Sequence, residues 1–243
     1  MKSLFPSGLL TTGALLGLLF TPLLSAREVS RKKLIHGGWE RPDSSDLLQY
    51  LREIEKTPYD GVILMLQGRD DEQKPVYVQK AFEAVPWKRE WFLKNIDDLK
   101  KVRSTRLVHD FVRIATNPGN VDWFDDEGWA QIIDHWRIAA WIAKEGNLKG
   151  ICFDAEPYSR PFFQMKYKAQ AHRDQYTFEQ YETKARERGR QVMEAIRSEY
   201  PGMTLFTFFM NSYNMKIMSK MSRIKHIFNI TRLCLLRRNS KAI

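Results

Sequence analysis

Short apolar segments alternate with amphipathic helical segments along most of the chain, and this alternation limits the possible folds more than any other feature. Five apolar runs predict strands, and the segments between them have helical periodicity or carry helix-capping residues, apart from residues 67–86, which we predict to be irregular. This order is typical of a parallel sheet covered by helices. We predict strands over 34–39, 62–66, 107–115, 149–153 and 203–210, and helices over 47–54, 87–101, 125–145 and 177–200.

Two architectures fit this order, a closed (β/α)8 TIM-type barrel and an open doubly wound sheet. No glycine-rich phosphate loop follows any predicted strand, so the sequence does not predict a nucleotide cofactor. We favour the barrel, because the fourth strand ends in acidic residues at the edge where barrel enzymes hold their active sites. A complete barrel takes about 250 residues. The fifth strand ends at residue 210, so we predict a barrel truncated after the fifth strand.

Residues 1–26 have the pattern of a signal peptide. Lys2 is followed by an apolar run, and Ser25 and Ala26 supply small residues at a cleavage point. We therefore expect a secreted or periplasmic protein. The alternative is an uncleaved N-terminal anchor, although the run is short for a spanning helix, which needs about 20 residues.

The excess positive charge is confined to the end of the chain. The formal net charge is +10, but residues 27–210 contain 30 basic and 29 acidic side chains. Residues 211–243 contain eight basic side chains and no acidic one. The main domain, 27–210, therefore gives no reason to expect a nucleic-acid partner.

Residues 211–243 form an atypical basic tail with three interpretations. It is an amphipathic helix for an anionic membrane or a partner, a solvated terminal helix without a role, or the product of a frameshift. We favour the frameshift, because it explains both the change in charge and the missing strands. An open half-barrel would expose unpaired strand edges, so we expect the activity of this truncated chain to be compromised.

Two carboxylates follow the fourth strand. Asp154 and Glu156 are two residues apart, so they point to the same side of an extended chain. One acid can be kept protonated by burial and by its neighbour's charge, and it can then act as a general acid for glycosidic bond cleavage. The structural alternative is that Asp154 caps the following turn and Glu156 pairs with an arginine such as Arg160.

The same segment resembles the fourth-strand signature of family 18 glycoside hydrolases, the chitinase-like barrels. The resemblance implies that Glu156 is the general acid and that Asp154 orients the acetamido group of the substrate, which itself acts as the nucleophile. The chain departs from the pattern at Lys149 and Cys152, where the family usually has acids or amides. The matching positions are Leu148, Gly150, Ile151, Phe153, Asp154 and Glu156.

A second resemblance is to the retaining glycosidases with Asn-Glu-Pro at the end of strand four, which here reads Ala155-Glu156-Pro157. That resemblance also implies Glu156 as the acid. We therefore predict an exported carbohydrate-active hydrolase acting on an oligo- or polysaccharide. The alternatives are a non-catalytic carbohydrate-binding or surface protein on the same scaffold, and a basic membrane- or nucleic-acid-binding module if the tail is native.

Further polar and aromatic residues follow the predicted strands and are candidates to line the barrel mouth. Aromatic rings there stack on sugar faces, although each large ring also has the alternative of packing in the core. The histidines show no metal-ligand spacing and the two cysteines form no disulfide framework, so we predict no metal and no cofactor. The candidate substrate-binding residues are Trp39, Asn117, Trp123, Tyr158 and Tyr213.

Overall fold

Parallel strands form the central sheet of the protein. The computed structural model describes residues 32–38, 41–156, 158 and 167–208, and those from Lys33 onward belong to one compact unit. The strands are β1 (Ile35–His36), β2 (Gly61–Leu64), β3 (Gln67–Arg69), β4 (Pro75–Tyr77), β5 (Phe111–Ala115), β6 (Gly150–Asp154) and β7 (Thr204–Thr207). The helices are α1 (Ser44–Gln49), α2 (Leu51–Glu55), α3 (Leu93–Lys101), α4 (Asp126–Glu145) and α5 (Phe178–Glu199).

The main sheet has the order β1-β2-β5-β6-β7, and each neighbouring pair is parallel. The sheet is curled into a half-barrel, which confirms the predicted α/β class with a parallel sheet. Its two faces differ. Val112 and Ile151 belong to the large core formed with the helices. Ile63, Phe111 and Cys152 form a smaller cluster on the opposite, inner face.

Helices α1 and α5 both begin with a reciprocal capping box. The Asp43 carboxylate accepts the backbone N–H of Asp46, and Asp46 returns a bond to the Asp43 N–H at 3.1 Å. At the start of α5, the Thr177 hydroxyl accepts the Gln180 N–H and the Gln180 side chain accepts the Thr177 N–H at 2.7 Å. These reciprocal bonds satisfy N–H groups that have no partner inside the helix.

Three local predictions were wrong. Residues 67–86 are not irregular, because β3 and β4 pair as an antiparallel hairpin. Within the predicted helix over 87–101, Arg89–Phe92 form a 3₁₀ turn and α3 begins at Leu93, while Trp87 packs in the core with its ring stacked on His135 at 4.1 Å. The predicted helix over 47–54 is divided at Tyr50 into α1 and α2. Long-range packing outweighs local helix propensity in the case of Trp87.

Helices α4 and α5 are joined by a buried arginine. The Arg188 guanidinium donates to the backbone oxygen of Trp123 at 3.2 Å and pairs with Asp126. Its guanidinium carbon also lies 5.5 Å from the centre of the Trp129 ring. A buried charge needs such partners, and the same contacts link the start of α4 to α5.

Candidate active site

The two predicted acids lie at the carboxyl edge of β6. Asp154 is the last residue of the strand, and it is only 2 % exposed. Because Cys152 packs on the inner face with Ile63 and Phe111, Asp154 projects from that same face two residues later. Glu156 follows beyond the strand and is half-buried. Active sites of parallel α/β proteins lie at this edge.

Asp154 forms an ion pair with Arg113 of the neighbouring strand. Arg113 Nε donates to Asp154 Oδ2 at 3.2 Å, and Arg113 Nη2 makes a closer contact with the same oxygen. The third donor, Arg113 Nη1, bonds Gln79 Oε1 at 2.8 Å. The sequence predicted that one acid is kept protonated by burial and by the charge of its neighbour. In the structure, Arg113 on β5 balances the charge of Asp154.

The other oxygen of Asp154 caps the turn that follows β6. Asp154 Oδ1 accepts the backbone N–H of Glu156 at 3.1 Å, as the structural alternative for Asp154 expected. Both carboxylate oxygens of Asp154 are therefore occupied. The Asp154 side chain thus fixes the backbone of Glu156, and Arg113 fixes the Asp154 side chain.

Two residues that follow β5 also hydrogen-bond the backbone of Glu156. Thr116 Oγ1 and Asn117 Nδ2 both donate to the carbonyl oxygen of Glu156 at 3.0 Å. Asn117 Oδ1 in turn accepts the backbone N–H of Tyr158 at 3.1 Å. The chain leaving β6 is thus fixed by side chains from the neighbouring strand end, which makes the position of Glu156 well defined.

The Glu156 carboxylate has a neutral partner. Tyr158 donates its hydroxyl to Glu156 Oε2, and this hydrogen bond raises the pKa of the Tyr158 phenol, so the phenol remains a donor at neutral pH. Within the described part of the chain, no lysine, arginine or histidine lies within ion-pair distance of Glu156. Tyr158 itself is 69 % exposed, so its ring is accessible to a ligand.

A second arginine reaches the same edge from the segment between β1 and α1. Arg41 is half-buried, and its Nη1 lies 3.8 Å from the Met65 sulfur. Burial lowers the pKa of Arg41, as does the charge of Arg113, while Asp154 and Glu156 act in the opposite direction. The edge of the half-barrel therefore carries two guanidinium groups and two carboxylates.

A cleft of about 340 Å³ adjoins the acidic pair. It shares Arg113 and Asn117 with the site described above, but Asp154 and Glu156 do not line it. Its rim is charged on one side, where Lys80 and Glu83 form an ion pair at 3.4 Å. The cleft is lined by Gln79, Lys80, Glu83, Arg113, Ala115, Asn117 and Pro118.

The remaining predicted binding residues have different locations. Asn117 and Tyr158 lie at the site, in contact with Glu156. Trp123 is 6 % exposed, and its ring stacks on Trp129 of α4 at 5.0 Å, so it packs in the core, which is the alternative that we gave for large aromatic rings. Trp39 and Tyr213 lie outside the described residues.

Other predictions also fall outside the described residues. They are the signal peptide at 1–26, the tail at 211–243 and Arg160 as a partner of Glu156.

Sequence reasoning missed both arginines. Arg113 interrupts the apolar strand Phe111–Ala115, and a charge inside a buried parallel strand requires a partner. That requirement was the available signal for Arg113. Nothing in the local sequence distinguishes Arg41, because its approach to the site depends on how the segment before α1 folds back over β2.

Cys152 occupies a position where family 18 glycoside hydrolases, which this segment resembles, usually have an acid or an amide. Its side chain is fully buried against Ile63 and Phe111, and it forms no disulfide. Burial, with a further contribution from the Asp154 charge, raises the pKa of the Cys152 thiol to about 12. At neutral pH the thiol is protonated, so this position supplies neither a carboxylate nor a reactive thiolate.

Comparisons with protein families, with characterised proteins and with solved structures found no match to this chain. Within the described ranges, no three histidine, cysteine or acidic side chains come together as a possible metal site. No helix in those ranges has the length and apolarity needed to cross a membrane.

Proposed function

We propose that the protein is an exported carbohydrate-active hydrolase that cleaves glycosidic bonds with Glu156 as general acid. One observation carries this proposal. The Glu156 carboxylate lies at the carboxyl edge of a parallel half-barrel and is hydrogen-bonded by a neutral phenol rather than paired with a cation. A general acid needs a carboxyl group that is not paired with a cation and that a substrate can reach. We also propose that the half-barrel is part of a (β/α)8-type scaffold related to family 18 glycoside hydrolases.

The ion pair between Asp154 and Arg113 supports Glu156, rather than Asp154, as the general acid. Asp154 forms an ion pair with Arg113 and accepts the Glu156 N–H, so it acts as a residue that positions Glu156. Glu156 is the acid whose side chain remains available to a substrate. The role of Asp154 here differs from that in family 18 glycoside hydrolases, which this segment resembles. In that family, the acid two residues before the glutamate orients the substrate.

The proposed chemistry moves one proton and consumes one water molecule. Protonated Glu156 gives its proton to the glycosidic oxygen while the bond between that oxygen and the anomeric carbon breaks. Water supplies the oxygen that ends on the anomeric carbon, and its proton restores the acid. Tyr158 orients the Glu156 carboxyl group, and its exposed ring gives a sugar face a surface to stack on.

Glu156→Gln tests the proposal in the full chain. We expect reducing-sugar release from a panel of oligosaccharides to fall by at least about 100-fold, since general acid catalysis contributes about 10²–10⁴-fold. Glu53→Gln is the matched control, because Glu53 is exposed on α2, away from the carboxyl edge. Equal turnover in parent and Glu156→Gln would overturn the proposal. Binding of sugars by the parent without any turnover would favour the non-catalytic binding protein instead.

A further inference from the structure

The guanidinium of Arg41 has almost no partner in the described structure. Its only hydrogen bond among the described residues is the 3.8 Å contact from Nη1 to the Met65 thioether, and sulfur is a weak acceptor. The Nε atom is buried and makes no hydrogen bond. In the described ranges, no carboxylate lies within ion-pair distance of Arg41. A half-buried cation in this state is unfavourable unless something else satisfies it.

The two nearest charged groups, Arg113 and Asp154, already have hydrogen-bond partners. Arg113 directs two of its nitrogens to Asp154 and the third to Gln79. Both oxygens of Asp154 are occupied, by Arg113 and by the Glu156 N–H. Arg41 therefore holds N–H donors without a strong acceptor, beside a pair whose own groups are satisfied.

The position of Arg41 relates it to the proposed reaction. It lies in the segment that follows β1, at the same edge of the sheet as Glu156, and it is close enough to Asp154 and Glu156 for their charges to act on it. Carboxylate and sulfate groups match the planar fork of a guanidinium and accept two parallel hydrogen bonds from it.

We propose that Arg41 forms a subsite for an anionic substituent on the sugar, a uronate carboxylate or a sulfate ester. This inference rests on the proposed function, because it assigns the substrate class of the same site. The anion completes the hydrogen bonds of the half-buried guanidinium, so an acidic sugar binds more tightly than its neutral counterpart.

Binding measured by calorimetry on the full chain tests this assignment. The probes are galacturonate, glucuronate and mannuronate trimers, each with its carboxyl-reduced neutral trimer, and a sulfated trimer with its desulfated form. We expect at least one acidic probe to bind more tightly than its neutral partner. In Arg41→Gln that preference should fall by about 10- to 100-fold, the usual effect of losing a charge-assisted hydrogen-bond pair.

Two further variants separate the possible causes of a loss. Arg41→Lys keeps the charge without the fork and should retain part of the preference. Arg52→Gln is the matched control, because Arg52 is exposed on α2. Thermal melting of each variant distinguishes a lost subsite from lost folding. The uronate and sulfate arms identify which anion the subsite takes.

The proposal is overturned if no acidic probe is preferred, or if Arg41→Gln keeps the preference of the parent. It is also overturned if Arg41→Gln weakens acidic and neutral probes equally, because Arg41 would then serve Glu156 rather than the substrate. Failure of the hydrolase proposal looks different. In that case Glu156→Gln leaves turnover intact, while the dependence of acidic-sugar binding on Arg41 persists.

Discussion

Arg113 and Asp154 lie on adjacent strands and form a buried ion pair on the inner face of the half-barrel. Arg113 is in register with Cys152, so its side chain extends one step further along the sheet to reach Asp154. Their side chains are 12 % and 3 % exposed, respectively. This pair ties β5 to β6 and fixes the backbone of Glu156 through Asp154 Oδ1.

Removing one partner of this pair should destabilise the protein strongly. In Arg113→Met, Asp154 is left buried without its cation, and we expect the free energy of unfolding to fall by about 3–5 kcal/mol. Denaturant unfolding measures this loss, with Arg52→Met as the exposed control. The double variant Arg113→Met with Asp154→Leu should recover part of the loss. If the two substitutions were strictly additive, the pair would not be coupled.

The buried carboxyl group of Asp110 should make the free energy of unfolding depend on pH. Asp110 lies just before β5, and its Oδ1 accepts the Val62 N–H at 2.8 Å. Burial raises the pKa of Asp110 to about 7, against the opposing effect of that hydrogen bond. The folded state thus binds the proton more tightly than the unfolded chain. The stabilising contribution is complete below pH ~4 and is lost as the pH rises through about 7.

Asp110→Asn tests this relationship, because asparagine keeps the acceptor and carries no charge. Between pH 4 and pH 8 the variant should gain stability relative to the parent, by on the order of 2–4 kcal/mol. Unfolding titrations at several pH values give the difference, and Asp97→Asn on the exposed face of α3 is the control. A difference that stays constant over this range would contradict the raised pKa.

Cys152 should be inert in the folded protein. Its thiol is buried and its pKa is raised to about 12, so little thiolate exists at pH 8. We expect iodoacetamide to leave Cys152 unmodified under native conditions and to modify it once the chain is unfolded in denaturant. Peptide mass spectrometry distinguishes this site from Cys234. Rapid labelling of Cys152 in the native protein would contradict its burial.

The secondary structure was predictable where local signals and tertiary packing agree. The Thr177–Gln180 capping box defined the start of α5, and the apolar run at 62–66 indicated a strand buried on both faces. The start of α3 was not predictable, because Trp87 stacks on His135 of α4, far away in sequence. The same reason explains Trp123, whose core location depends on Trp129.

The candidate site was predictable only along its own strand. Asp154 and Glu156 follow an apolar strand and are two residues apart, so the sequence indicated that both lie on one side at the end of that strand. Arg113 lies 41 residues before Asp154, and the pair depends on the register of β5 with β6. Arg41 and Asn117 likewise reach the site from other elements. Register and loop direction are set by packing across the sheet, which local sequence patterns do not specify.

The central claim is that Glu156 protonates the leaving group, and leaving-group dependence tests it most directly. Glu156→Ala in the full chain is assayed with an unactivated oligosaccharide and with the dinitrophenyl glycoside of the same sugar. The activated leaving group departs without a proton, so it does not need the acid. We predict that the rate on the oligosaccharide falls at least about 100-fold more than the rate on the dinitrophenyl glycoside. Equal losses on both substrates, or no loss on either, would contradict the role of Glu156.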